Sequence, residues 1–278
     1  VFYECANLTS VVIPEGVTAV GNFAFHGCTN LTEIVIPESV TEIGSYAFKG
    51  CIALTDIIIP KDMTTISEGV FYECVNLVNV VIPESVTAIG DLAFYGCTNM
   101  NEIAIPKNVT TLGTALYECA SLTNVFIPEG VTAIDDYALN KCTALTEVVI
   151  PDSVTAIGAW AFNNCESLTD IYYAGTEEDW NAIEIDENGN ESLLTATIHF
   201  NTPITFIEPD SPFYGDVDEN GKVDIMDVIL LNRNLMIGAE VGAQGMVNAD
   251  VDFNGTVDSI DSLHILKYVV QLTTVLPV

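Results

Sequence analysis

The chain has 278 residues, 39 of them acidic against 7 basic, giving a formal net charge of −32. Such a surface repels nucleic acid and anionic lipid and favours divalent cations or basic partners, which excludes a DNA- or RNA-binding role. No run of 18 uninterrupted apolar residues occurs, so no stretch is long enough to cross a bilayer as a helix.

The chain starts with VFYEC at 1–5, and the same five residues return at 70–74. Val1 is therefore expected to lie inside a repeat, and the chain to be part of a longer protein. Eight cysteines stand at 5, 28, 51, 74, 97, 119, 142 and 165, at intervals of 23 with a single interval of 22. A proline follows each of the first seven at an offset of nine, from Pro14 to Pro151. One copy, CTNLTEIVIPESVTEIGSYAFKG at 28–50, generalises to C-x-x-L-T-x-I-x-I-P-x-x-V-T-x-I-G-x-x-A-F-x-x.

Within each copy, L-x-x-I-x-I predicts a short strand, because alternate side chains point the same way. Proline ends it by removing the donor that a continuing ladder needs. V-T-x-I-G-x-x-A-F then predicts a more irregular return limb. One such unit cannot bury its own apolar face, whereas eight stacked units share a continuous core, so residues 1–173 are expected to form a solenoid. The 22-residue interval loses its residue in the return limb, GTALYEC (113–119) against GDLAFYGC (90–97), which leaves the strand register intact.

The cysteines show neither C-x-x-C nor histidine spacing for a metal. Stacked at a strand separation of ~4.8 Å, they stand wider than the roughly 3.5–4.5 Å between Cβ atoms that disulfides prefer. Buried free thiols used as small hydrophobes are expected.

This pattern resembles the 23-residue leucine-rich repeats of bacterial BspA-type surface proteins, over residues 1–173. The resemblance implies an α+β repeat solenoid with a parallel sheet along a concave face. Exposed strand positions would flank the inward isoleucine in two rows. One reads Ser10, Glu33, Asp56, Asn79, Glu102, Asn124, Glu147 and Asp170; the other reads Val12, Val35, Ile58, Val81, Ala104, Phe126, Val149 and Tyr172. An acidic stripe beside an apolar one suits a protein ligand with basic and apolar features.

After Cys165 the repeat begins normally, but the I-P step is replaced by Tyr173-Ala174. Residues 174–201 are expected to cap the array. Thr176 followed by Glu177, Glu178 and Asp179 marks a helix N-terminus, and Trp180, Ile183 and Ile185 can cover the open end of the core. DENGN at 186–190 reads as a surface turn, since it lacks the later ligands of a calcium loop. Residues 202–213, with three prolines, read as a linker.

DVDENGKVDIMD at 216–227 returns as DVDFNGTVDSID at 250–261. Calcium takes six to eight oxygens, and a twelve-residue loop supplies them at positions 1, 3, 5, 7, 9 and 12 around a glycine at 6. The first loop offers Asp216, Asp218, Asn220, the Lys222 carbonyl, Asp224 and Asp227. The second offers Asp250, Asp252, Asn254, the Thr256 carbonyl, Asp258 and Asp261. Apolar runs, VILLNRNLM and SLHILKYVV, follow each loop and predict helices. Two Ca²⁺ ions are expected.

An EF-hand has a helix before its loop and glutamate at position 12; here the preceding residues are proline-rich and position 12 is aspartate twice. This duplicated loop-helix unit, residues 214–278, resembles the type I dockerin of cellulosome proteins. The resemblance implies a small all-α calcium-binding domain that binds a cohesin module of a scaffoldin, in a secreted, extracellular or cell-surface complex of an anaerobic fibre-degrading bacterium. It also implies recognition positions at Ile225, Met226, Asn232, Arg233 and Ile237 in the first copy. In the second they are Ser259, Ile260, Leu266, Lys267 and Gln271. The two sets differ in character, so one binding orientation is expected to dominate.

His26, His199 and His264 are the chain's three histidines. None adjoins a nucleophile in a recognisable motif, so the expected function is non-catalytic binding. The alternatives are a carbohydrate-binding or adhesin array, or the accessory part of an enzyme whose catalytic domain lies upstream.

Overall fold

The computed structural model describes residues 2–201. The loop-helix segments, the linker and every predicted calcium and cohesin position lie outside the described residues.

Each 23-residue unit forms one coil, and parallel strands stack coil on coil. The first ladder comprises β1 (Ser10–Val12), β3 (Glu33–Val35), β5 (Asp56–Ile58), β7 (Asn79–Val81), β9 (Asn124–Phe126), β11 (Glu147–Ile150), β13 (Asp170–Tyr173) and β15 (Thr197–His199). The return limb is more regular than its sequence suggests. It carries a second ladder of two-residue strands: β2 (Ala19–Val20), β4 (Glu42–Ile43), β6 (Thr65–Ile66), β8 (Ala88–Ile89), β10 (Ala133–Ile134), β12 (Ala156–Ile157) and β14 (Glu184–Ile185). Pairing follows the repeat length, with Ser10 opposite Glu33 and Ala19 opposite Glu42.

Three corners bend every coil. Leu31 N–H donates to the Cys28 carbonyl and Val40 N–H to the Pro37 carbonyl, and these C-x-x-L and P-x-x-V turns recur along the array. The third corner, around A-F, uses left-handed backbone twice per coil. Phe23, Tyr46, Leu92, Tyr137 and Trp160 take positive φ five residues before a cysteine, as do Glu4, Glu73, Glu118, Lys141 and Asn164 one residue before. Bulky residues there cost roughly 1–2 kcal/mol each relative to right-handed backbone. Hydrogen bonding offsets that cost: Phe23, Phe25 and Gly27 N–H donate forward to Ser45, Ala47 and Lys49, while Ala24, His26 and Cys28 N–H donate back within their own coil.

The core is a set of columns. Phe2, Phe25, Phe48, Phe71 and Phe94 stack at centroid distances of 5.3 to 5.6 Å. Cys28, Cys51, Cys74, Cys97, Cys119, Cys142 and Cys165 are fully buried free thiols, as expected, whereas Cys5 is exposed. They are more than small hydrophobes. Each buried Sγ donates to a carbonyl one coil back, as from Cys51 to Phe25 at 3.2 Å and from Cys142 to Leu116 at 3.3 Å. Burial pushes these thiols up, Cys51 and Cys165 to about 12, and a thiol without its thiolate is unreactive. In the folded chain a thiol-specific reagent should therefore modify one cysteine rapidly, Cys5, and all eight only in denaturant. Two or more fast thiols per native chain would contradict this packing.

Pairing is segmented. The first ladder groups as β1-β3, β5-β7 and β9-β11-β13-β15, and residues 102–104 form no strand although Ile103 and Ile105 remain buried. The missing residue of the short coil is absorbed where Phe94 N–H reaches Ala115, 21 positions on, instead of the usual 22. Gly113 supplies positive φ there, one position earlier than the other coils.

The last coil is closed by α1 (Glu177–Asn181) and α2 (Glu191–Thr195). Thr176 caps α1 through a reciprocal pair with Asp179, and Trp180 and Ile183 are buried over the core. Residues 186–190 are a turn only in part. Asp186, Glu187 and Asn188 are exposed, but Gly189 and Asn190 are buried. The Asn190 side chain accepts from Phe162 N–H at 2.9 Å and donates to the carbonyls of Gly158 and Asp186.

Candidate binding face

Strand alternation with parallel register builds the site. In each paired strand the middle residue points inward: Ile57, Val125, Val148 and Ile171 are buried. The two flanking residues face outward, and register aligns them. Asp56 pairs with Asn79, Glu147 with Asn124 and Asp170, and Val149 with Phe126 and Tyr172. The structure thus brings together Glu33 with Val35, Asp56 with Ile58, Val81 with its neighbours, and Glu147 with Val149 as two adjoining columns. Glu102 and Ala104 keep outward positions outside any paired strand. The apolar column is solvent-facing, with Val12 73%, Val35 46%, Ile58 48% and Phe126 42% exposed.

Carboxylates one coil apart would repel at ~4.8 Å, and the acidic column contains its own relief. Asn79 separates Asp56 from Glu102, and its amide donates to Asp56 Oδ1 at 2.6 Å. Thr55 Oγ1 donates to the other Asp56 oxygen.

The far end is finished by a residue the sequence reading did not assign. His199 is the register partner of Tyr172, stacks on its ring at 4.7 Å, and reaches diagonally so that Nε2 lies 2.7 Å from Asp170 Oδ1. This contact, with the Thr169 hydroxyl, holds the Asp170 carboxyl below its ordinary value. A depressed carboxylate contributes stability above its unfolded pKa, near 3.9, and loses it as pH falls through the folded value. Asp170→Asn should therefore flatten the acid limb of the array's melting curve between pH 5 and 3. An unchanged limb would contradict the contact. No repeat signature announces His199, because TIH follows a non-repeat cap.

A second surface was also missed. Along the return limb Phe23 stacks on Tyr46 at 5.4 Å, Tyr72 on Tyr95 at 4.4 Å, and Tyr137 on Trp160 at 6.4 Å. Tyr46 donates to Glu68, which pushes its phenol up to about 12. Tyr95 donates to Glu118, and Lys141 pairs with the same carboxylate at 3.2 Å. Lys49 lies 4.3 Å over the Tyr72 ring. A sequence signal existed, in aromatic residues flanking A-F in most copies. Glu118 and Lys141 also line a shallow cleft with Thr98, Ala120, Thr143, Asn164 and Glu166, but neutralise each other.

Among the described residues no group of three or more His, Cys, Asp or Glu is placed to hold a metal ion. No helix of the described residues is long and apolar enough to cross a membrane.

Stacked coils with an inward aliphatic column and an outward two-residue face define a leucine-rich-repeat solenoid. The family described as BspA type leucine rich repeat region matches residues 1–117 and 64–184, in six copies. The chain belongs to that family, and residues 214–270 match the dockerin type I domain. A leucine rich repeat protein of T. pallidum is 31% identical, with 57% of this chain and 77% of that one covered and a TM-score of 0.53. A Bacteroides ovatus leucine-rich repeat protein, 24% identical, shares the fold over 70% of this chain and 64% of its own, with a TM-score of 0.50. A leucine rich cell surface protein of Faecalibacterium prausnitzii is 29% identical over 67% of this chain and 65% of its own, with a TM-score of 0.48. The chain thus spans just under two thirds of the latter two. No curated protein matches.

Both families are of non-catalytic binding modules, and their combination is that of a module of a cellulosome-type assembly. The dockerin match brings calcium binding and an extracellular or cell-surface setting with it.

Proposed function

We propose that this chain is a non-enzymatic adaptor. Its strand face binds a protein ligand, and its dockerin segment, loaded with two Ca²⁺ ions, attaches that capacity to a cohesin module of a scaffoldin. The observation that carries the reading is the pairing of acidic and apolar columns in one register, on an array whose chain also matches a dockerin. The donor set fits calcium: both loops supply hard oxygen ligands, with neither histidine nor cysteine among them. Ligand roles for Asp216, Asp218, Asn220, Lys222, Asp224 and Asp227, and for Asp250, Asp252, Asn254, Thr256, Asp258 and Asp261, rest on that spacing. Cohesin contacts at Ile225, Met226, Asn232, Arg233, Ile237, Ser259, Ile260, Leu266, Lys267 and Gln271 rest on the dockerin pattern, with one orientation dominant. A secreted protein of a fibre-degrading anaerobe fits this role.

A carbohydrate ligand is the rival. Sugar recognition uses exposed ring faces, and on the strand face the Tyr172 ring is already stacked by His199, leaving Phe126. Parallel capture on a glycan array and from a mixture of secreted proteins decides the matter. Protein capture lost in Phe126→Asp supports the reading, and glycan binding of comparable strength overturns it.

A further inference from the structure

Resting on the reading that the strand face docks a protein, we infer that its partner is a basic amphipathic α-helix lying along the direction in which the coils stack. The shape of the face is the first argument. Each strand offers only two outward positions, about 6.6–6.8 Å apart, while eight coils at ~4.8 Å extend the columns to about 34 Å. A strip so long and narrow is covered best by a rod, and a helix is about 10 Å wide.

Main-chain chemistry selects the kind of rod. Strand N–H and C=O groups lie in the plane of the sheet, bonding neighbouring coils within β1-β3, β5-β7 and β9-β11-β13-β15, so the outward face presents side chains rather than a backbone ladder. An extended segment laid on Val12, Val35 and Ile58 would bury its own amides without partners, a penalty of about 1–3 kcal/mol for each. A helix satisfies its backbone internally. Its turn rises 5.4 Å, so one apolar residue per turn follows one coil per step, drifting by about 0.6 Å each time and by less than about 2 Å across three coils.

Charge selects the sequence of the helix. Glu33, Asp56, Glu102, Glu147 and Asp170 run beside the apolar column, so lysines or arginines must flank the helix's apolar stripe on that side. A second copy of this chain is the wrong partner, since its facing column would be equally acidic and the whole chain carries −32. Val35 and Ile58, 46% and 48% exposed on successive coils beside Glu33 and Asp56, mark where the helix seats.

The test uses the full calcium-loaded chain and three synthetic 18-residue peptides: a leucine stripe along one helical face flanked by lysines, the same with a central proline, and the same with glutamate for lysine. Any polyanion attracts lysine, so the informative variant is Ile58→Asp, which adds negative charge while removing apolar contact. The inference expects the first peptide to gain helical circular dichroism on binding, and to bind Ile58→Asp at least tenfold more weakly although that variant melts as the parent does. It expects the proline and glutamate peptides to bind at least tenfold more weakly than the first. Equal or tighter binding to Ile58→Asp, equal binding of the proline peptide, or parent self-association that Ile58→Asp dissolves would each overturn it. If Ile58→Asp abolishes capture of a secreted protein yet the helical peptide fails, the helix is wrong and protein docking stands. If capture is also indifferent to Ile58→Asp, both fall.

Discussion

Chelating calcium should unfold residues 214–278 and abolish capture by a cohesin-bearing scaffold, while the repeat array melts where it did before. The first loop gathers five carboxylates within twelve residues, Asp216, Asp218, Glu219, Asp224 and Asp227, and the second four, Asp250, Asp252, Asp258 and Asp261. Without the ion these charges repel one another, and a domain of about 65 residues has little core to oppose them. Linkage sets the scale: an ion at a hundred times its dissociation constant stabilises by about 2.7 kcal/mol per site. Two sites then contribute on the order of 5 kcal/mol, comparable with the whole stability of a small domain. Calorimetry in calcium should show two transitions, of which chelator moves only one. Asp216→Ala with Asp250→Ala should reproduce the chelator and weaken scaffold capture by at least a hundredfold. A single transition indifferent to chelator would refute the two-part architecture.

The array's regularity explains why so much of it could be read from residues alone. Cysteine and proline at fixed offsets set the coil length, and coil length sets register, so the pairing of Ser10 with Glu33 and the alignment of the two outward columns follow from counting. What escaped was local. Strands of two residues such as Ala19–Val20 are too short to show a period. Left-handed backbone at Phe23 or Trp160 has no signature, because glycine, the usual residue there, is replaced by aromatics whose stacking and inter-coil hydrogen bonds hold them. The thiol column looked like hydrophobic filling because its second role depends on a carbonyl 26 residues earlier. Seven of the face's eight coils form the expected strand; residues 102–104 of the short coil do not, and pairing also lapses between β3 and β5. His199 and Asn190 belong to the cap, where the period has ended and contacts alone define a residue's part.

Asn190→Leu should be the most damaging single change in the described residues that leaves the aliphatic core intact, lowering stability by about 3–5 kcal/mol. Inside the array, the N–H at the Phe162 position donates to the next coil, as Phe48 does to Val70 and Leu139 to Ala161. The last coil has no successor. Asn190 Oδ1 stands in for the absent carbonyl, and its amide satisfies Gly158 and Asp186 on the other side. Gly189, at positive φ, lets this segment close over the Trp160 ring, since a Cβ there would lie 2.5 Å from Cε3. Leucine fills the volume but strands the buried Phe162 N–H and two partly buried carbonyls, at about 1–3 kcal/mol for a buried group left unsatisfied. Asn190→Asp separates hydrogen bonding from shape. Its carboxylate could still accept from Phe162 but would face two carbonyl oxygens in a buried site, which raises its pKa above the unfolded value. Only the protonated form can donate, so the variant's deficit should be complete once pH exceeds the raised pKa and should shrink as pH falls from there toward about 4. Thermal melts of parent and both variants from pH 4 to 8 check this. A pH-independent deficit in Asn190→Asp, or a parent-like Asn190→Leu, would show that the cap closes the solenoid by packing rather than by imitating the coil that would have come next.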